Sequence, residues 1–127
     1  MDPENLRAVP LFAAMADDDL RKIATFANED SAPEGATLVR EGDFSNDMVA
    51  IESGTADVMR GGETVGSLGP GDVFGEIGVL GKEARTATIV ATSPMRLVRL
   101  DSWNVKRLPQ DVRDQMAALV EARRAND

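Results

Sequence analysis

Gly71-Asp72-Val73-Phe74-Gly75-Glu76-Ile77-Gly78-Val79-Leu80-Gly81-Lys82-Glu83-Ala84-Arg85-Thr86-Ala87-Thr88 is the stretch in which the strand-and-turn rhythm of this chain breaks. It reads as a strand end, a tight turn, one short helix and a loop. Gly75 and Gly78 leave the backbone uncovered at the start of that helix, where free N–H groups and the positive end of the dipole suit an anion. Arg85 follows in the loop, a permanently charged guanidinium able to grip a phosphate through two parallel hydrogen bonds. A carboxylate at Glu76 would repel such an anion unless it accepts hydrogen bonds from hydroxyls instead, and a ribose hydroxyl is the obvious donor. Taken singly, Arg85 is a surface loop arginine and Glu76 an acid favoured by a helix N-terminus. Their common spacing is what suggests a site.

On the N-terminal side of this segment, short β-type runs predict strands at Ala36 to Arg40, Met48 to Glu52, Thr55 to Arg60 and Glu63 to Leu68; on its far side come Thr88 to Ala91 and Met95 to Leu100. Gly42-Asp43, Ser53-Gly54, Gly61-Gly62 and Gly69-Pro70-Gly71-Asp72 are the turns between them, and all 11 glycines fall between Gly35 and Gly81. Many short strands punctuated in this way predict a mainly β domain, an antiparallel jelly roll rather than βαβ units. Helices are expected at both ends. Asp17, Asp18 and Asp19 precede Leu20, Ile23, Ala24 and Ala27 at helical spacing and read as capping acids, with Val9-Pro10-Leu11-Phe12 as a helical turn upstream. Asp101 is placed to cap a short helix through Trp103 and Val105 to Leu108, and Pro109 separates it from a second helix to about Ala125. In that last helix Val112, Met116, Leu119 and Val120 form one apolar stripe that something must cover. The expected layout is a single domain over 1–127, with helices over 1–30, the roll over 31–100 carrying the segment 71–88, and a hinge with closing helices over 101–127.

Composition narrows the function. The chain has 127 residues, 43% of them hydrophobic, and neither His nor Cys. That excludes a disulfide framework, a thiolate or imidazole metal site and a nucleophile with a His base, so no metal site and no enzyme are expected. A cupin-type enzyme, another small jelly roll, falls with the missing His. Fourteen basic against 22 acidic residues leave a net charge of −8, which disfavours nucleic acid as a partner. No apolar run approaches a membrane span, and Met1-Asp2-Pro3-Glu4-Asn5 lacks the basic start of a signal peptide, so no membrane is expected and a cytoplasmic place is.

The segment 71–88 closely resembles the phosphate-binding cassette of the cyclic-nucleotide-binding domain family, the family of catabolite-activator regulators and cAMP-dependent kinase regulatory subunits. Phe74-Gly75-Glu76 is followed at the right distance by Arg85-Thr86-Ala87-Thr88, and Arg40-Glu41-Gly42-Asp43, Ile51-Glu52-Ser53-Gly54 and Leu68-Gly69-Pro70-Gly71-Asp72 fall in the family's order. The resemblance implies a double-stranded β-helix with N-terminal helices, a short cassette helix and two C-terminal helices. It implies that Arg85 pairs with the cyclic phosphate and that Glu76 binds the 2′-hydroxyl. Gly75, Ile77 and Gly78 then line the sugar and phosphate, and Thr86 reaches the phosphate or base. Met116, Leu119, Val120 and Arg123 become candidates for a lid over the base. Ala84 departs from the proline often found before the arginine, and Asn46, beside Asp47, stands where many relatives carry an acid that orients it. The function implied is a non-catalytic regulatory domain for cAMP, with cGMP compatible with Thr86, signalling to an effector through its C-terminal helices and open to homodimerisation through the last one. The alternative is a degenerate fold serving as a ligand-independent interaction module.

Overall fold

Met48-Val49-Ala50-Ile51 is an unbroken apolar run, and a strand built from it needs cover on both faces. The computed structural model describes residues 1–42, 47–74 and 87–125, the side chains of 102 and 119–125 excepted, and places that run in β3 (Asp47–Ser53) with all its members at 0% exposure. Among the described residues two four-stranded antiparallel sheets make up a jelly roll. The first joins β1 (Asn28–Ala32), β8 (Met95–Asp101), β3 and β6 (Val73–Phe74), in that order. The second joins β2 (Thr37–Val39), β7 (Thr88–Ala91), β4 (Ala56–Arg60) and β5 (Glu63–Leu68).

Helices cover the outer face of the first sheet: α1 (Pro3–Arg7), a 3-10 turn at Pro10–Phe12 and α2 (Asp17–Ala24) from the N-terminal side, α3 (Ser102–Lys106) and α4 (Gln110–Ala125) from the C-terminal side. Strand alternation then splits the core in two. Met48 and Ala50, registered opposite Leu100 and Val98, meet Leu6, Phe12, Leu20, Ile23, Val105, Val112 and Met116 of the helices. Val49, Ile51, Leu97 and Phe74 point into the roll against Ala56, Ile89 and Ala91 of the second sheet. The first sheet is therefore a wall shared by both cores.

Most of the expected elements are present, and the strands at 63–68 and 88–91 have the expected bounds. Asp101 caps α3 as expected, its carboxylate accepting from the Asn104 backbone at 2.9 Å and the Asn104 side chain at 2.8 Å. The acids before Leu20 behave differently from the expectation. Asp17 to Asp19 form the first turn of α2 itself, behind an Ala16 N-cap that makes no side-chain bond, so they act on the dipole and through their partners. Arg7 pairs with Asp17 and donates to the Met15 carbonyl at 3.1 Å, clamping α1 to the start of α2. The strand end read at the start of the segment 71–88 is β6, whereas two elements have no counterpart in the sequence reading: α1 and β1. β1 is Asn-Glu-Asp-Ser-Ala, four of its residues exposed, and it exists because β8 offers a ladder to pair with rather than because of any apolar pattern. The expected cassette helix falls within 75–86, outside the described residues.

Candidate functional site

The cassette is held at both ends by backbone pairing that its own sequence dictates. Leading into it, the Gly71 N–H donates to the Ile51 carbonyl at 3.0 Å and the Ile51 N–H to the Asp72 carbonyl at 2.9 Å, pinning the turn on β3. Gly71 sits at φ +91°, which only glycine adopts without strain, and the Asp72 carboxylate closes the turn by accepting the Gly69 N–H at 2.8 Å. Val73 and Phe74 then pair with Ala50 and Val49, and the Phe74 ring anchors in the roll interior at 5% exposure. On the far side Ala87 is buried and Thr88 pairs with Met59 of β4. The Thr88 hydroxyl accepts the Glu41 N–H at 3.0 Å, while the Glu41 carboxylate accepts the Gly61 N–H at 3.2 Å. The segment thus leaves one sheet at Phe74 and joins the other at Thr88.

Gly75, Glu76, Ile77, Gly78, Arg85 and Thr86, the residues expected to touch the ligand, lie outside the described residues, as does Asn46. Asp47, beside it, places its carboxylate 3.9 Å from the Arg99 guanidinium. Arg99 also donates to Asp30 at 2.7 Å, and that hydrogen bond, against a smaller opposing effect of burial, holds the Asp30 carboxyl below its ordinary range. Of the expected lid, Met116 is fully buried among the helices, and Leu119, Val120 and Arg123 lie on the described backbone of α4 with side chains outside the description. The Gln115 amide donates to Asp19 at 3.0 Å, tying α4 to the first turn of α2.

One residue that sequence reasoning passed over is Val65. The β4–β5 register runs from Val58 opposite Gly66 to Met59 opposite Thr64, leaving Val65 as the extra residue of a β-bulge, 54% exposed. Thr88, Met59 and Thr64 line up across β7, β4 and β5, so this apolar side chain stands on the sheet that receives the end of the cassette. Its signal in the sequence is a lone valine amid Glu63-Thr64 and Gly66-Ser67.

A two-sheet roll with helices on one wall and a glycine-rich segment strung between the sheets is an arrangement with known counterparts. The chain matches the cyclic nucleotide-binding domain family over residues 29–111. It is 34% identical over 113 residues to a cAMP-dependent protein kinase regulatory subunit of Aspergillus niger, covering 87% of this chain and 28% of that protein. A provisionally named cyclic nucleotide-binding protein of Geobacter metallireducens GS-15 superposes with a TM-score of 0.84 at 26% identity, over 96% of this chain and 94% of that one. The cAMP-bound PfPKA-R fragment 141–441 superposes at 0.78, also at 26% identity, over 94% of this chain and 43% of its own. The chain belongs to the cyclic nucleotide-binding domain family. It spans about a quarter of the length of the curated kinase regulatory subunits it matches.

Proposed function

We propose that this domain binds a cyclic purine mononucleotide, cAMP first and cGMP as the alternative base, and that it regulates an effector without turning the nucleotide over. The observation that carries this reading is the cassette, Phe74-Gly75-Glu76 and then Arg85-Thr86-Ala87-Thr88, held between two sheets in a member of a family with a cAMP-bound relative. In this reading Arg85 holds the phosphate with the N–H groups around Gly75 and Gly78, Glu76 accepts the 2′-hydroxyl, Ile77 and Thr86 flank them, and Val65 offers an apolar surface to the base. The signal is a shift of α4 about Pro109: Met116 leaves α2, the Gln115–Asp19 bond opens, and Leu119, Val120 and Arg123 approach the base. Partners are the nucleotide, an effector protein or domain and a second copy through α4, with no nucleic acid, membrane or metal involved, in the cytoplasm.

Calorimetry with cAMP on the parent chain and on Arg85→Ala tests the reading. Losing a bidentate charged contact in a partly desolvated site costs on the order of 2–4 kcal/mol, one to three decades in affinity. Equal affinity of the two proteins would remove Arg85 from the site. Absence of binding by either, with a 260-to-280 nm absorbance ratio free of carried nucleotide, would leave the ligand-independent module.

A further inference from the structure

Among the described residues two large apolar side chains stand in solvent, Val65 at 54% and Trp103 at 71% exposure. Val65 has a place in the proposed cradle; Trp103 has none. It projects from α3, a helix whose inward residue Val105 is fully buried, as is the greater part of Leu108 just beyond. At spacings of three and four residues, Trp103 shares the outer face with Lys106 and Arg107, both exposed. Among the described residues no ion pair engages either cation. Lys106 also compensates the dipole at the end of α3, which accounts for one charge but not for a free indole beside two of them. In a chain of net charge −8, an unpaired aromatic-and-cation face is the place where an acidic surface can approach.

We infer that Trp103, Lys106 and Arg107 form a docking surface for a short acidic segment of a partner protein. An aliphatic residue of that segment covers the indole, and carboxylates on either side meet the two cations. Charge complementarity selects this occupant over a polyanion. Asp111 and Asp114 are exposed on the first turns of α4, four and seven residues past Arg107, and put like charge beside the patch against a long run of phosphates or a charged bilayer, whereas a short segment needs only the three residues. None of these three residues is assigned to the nucleotide, and the inference does not depend on that reading. Because α3 is the link into α4, a partner seated here would be well placed to sense that helix.

The chain contains one Trp and no Tyr, so indole emission reports this face alone. The test titrates the full chain, without nucleotide, with a capped decapeptide of Glu, Asp and Leu, and with its counterpart of Lys, Arg and Leu. The acidic peptide is expected to shift Trp103 emission to the blue and to saturate, more weakly as salt rises, while the basic one leaves it unchanged. Lys106→Gln with Arg107→Gln should weaken the acidic peptide by about fivefold to tenfold, and Trp103→Ala should abolish its calorimetric signal. Both variants should keep the parent's far-ultraviolet circular dichroism, since none of these side chains supports the core. No emission change up to millimolar acidic peptide overturns the inference. So does equal binding of the basic peptide, or a stronger response to phosphatidylserine vesicles or single-stranded DNA.

Discussion

Gly54 sits at φ +92°, and a methyl group added there would meet the Pro94 carbonyl oxygen at 2.4 Å and the Met95 Cα at 2.9 Å. Neither is the loose end of a side chain, so Gly54→Ala should cost at least about 2 kcal/mol in urea unfolding. Gly62→Ala is the control: its φ of +84° is equally strained, but nothing lies within 4 Å, and only the backbone cost of about 1–2 kcal/mol remains. A loss at Gly54 no larger than that at Gly62 would show that the close approach carries no weight. Ser53-Gly54 is readable from sequence as a turn, because turn chemistry is local. The clash behind it is not, because Pro94 arrives from the turn between β7 and β8, far along the chain. The reading of Glu76 and Arg85 rests on the same local kind of signal, chemistry lying within one short segment, and both lie outside the described residues; Val65 was not legible, since its exposure follows from the strand register it skips.

Between elements, the same contrast separates β3 from β1. The apolar run of β3 predicts a strand because two cores demand it, whereas β1 carries no pattern and is held by its ladder to β8 and by Asp30 reaching Arg99. That ion pair gives the joint a pH dependence whose sign follows from linkage. The Asp30 carboxyl is held below the ordinary carboxylate value by Arg99, so the folded state binds its proton less readily than the unfolded chain does. The stabilisation is complete above the unfolded value of 3.8 and disappears as the pH falls through the lower folded value. Arg99→Gln should therefore lower the urea midpoint at neutral pH by an amount worth about 0.2–1 kcal/mol, given that both partners are part-exposed, and the two proteins should converge as the pH falls below 3.8. A constant difference across that range would mean that Arg99 stabilises by contact alone. At the other end of the chain, Val112 and Met116 were legible as a stripe; that α2 and the first sheet cover it was not, since an amphipathic helix states that it needs a partner without naming one.

Across the whole molecule, the strand orders place the last two strands of the chain inside the sheets rather than at their edges: β8 between β1 and β3, β7 between β2 and β4. Neither sheet can close without them. A chain ended at residue 86 should lack a cooperative melt and the sheet signal in circular dichroism, although it retains β1 through β6; a cooperative transition in that fragment would contradict the strand order. For a nascent polypeptide this has a temporal meaning. Six strands emerge first and can form no complete sheet, however favourable their local sequences, and the apolar run at 48–51 stays uncovered until β8 follows it out of the ribosome. At translation rates of about 5–20 residues per second, that wait lasts several seconds. The domain is therefore assembled in one late event, and its exposure to chaperones and proteases during synthesis is set by how quickly the ribosome finishes the final third of the fold.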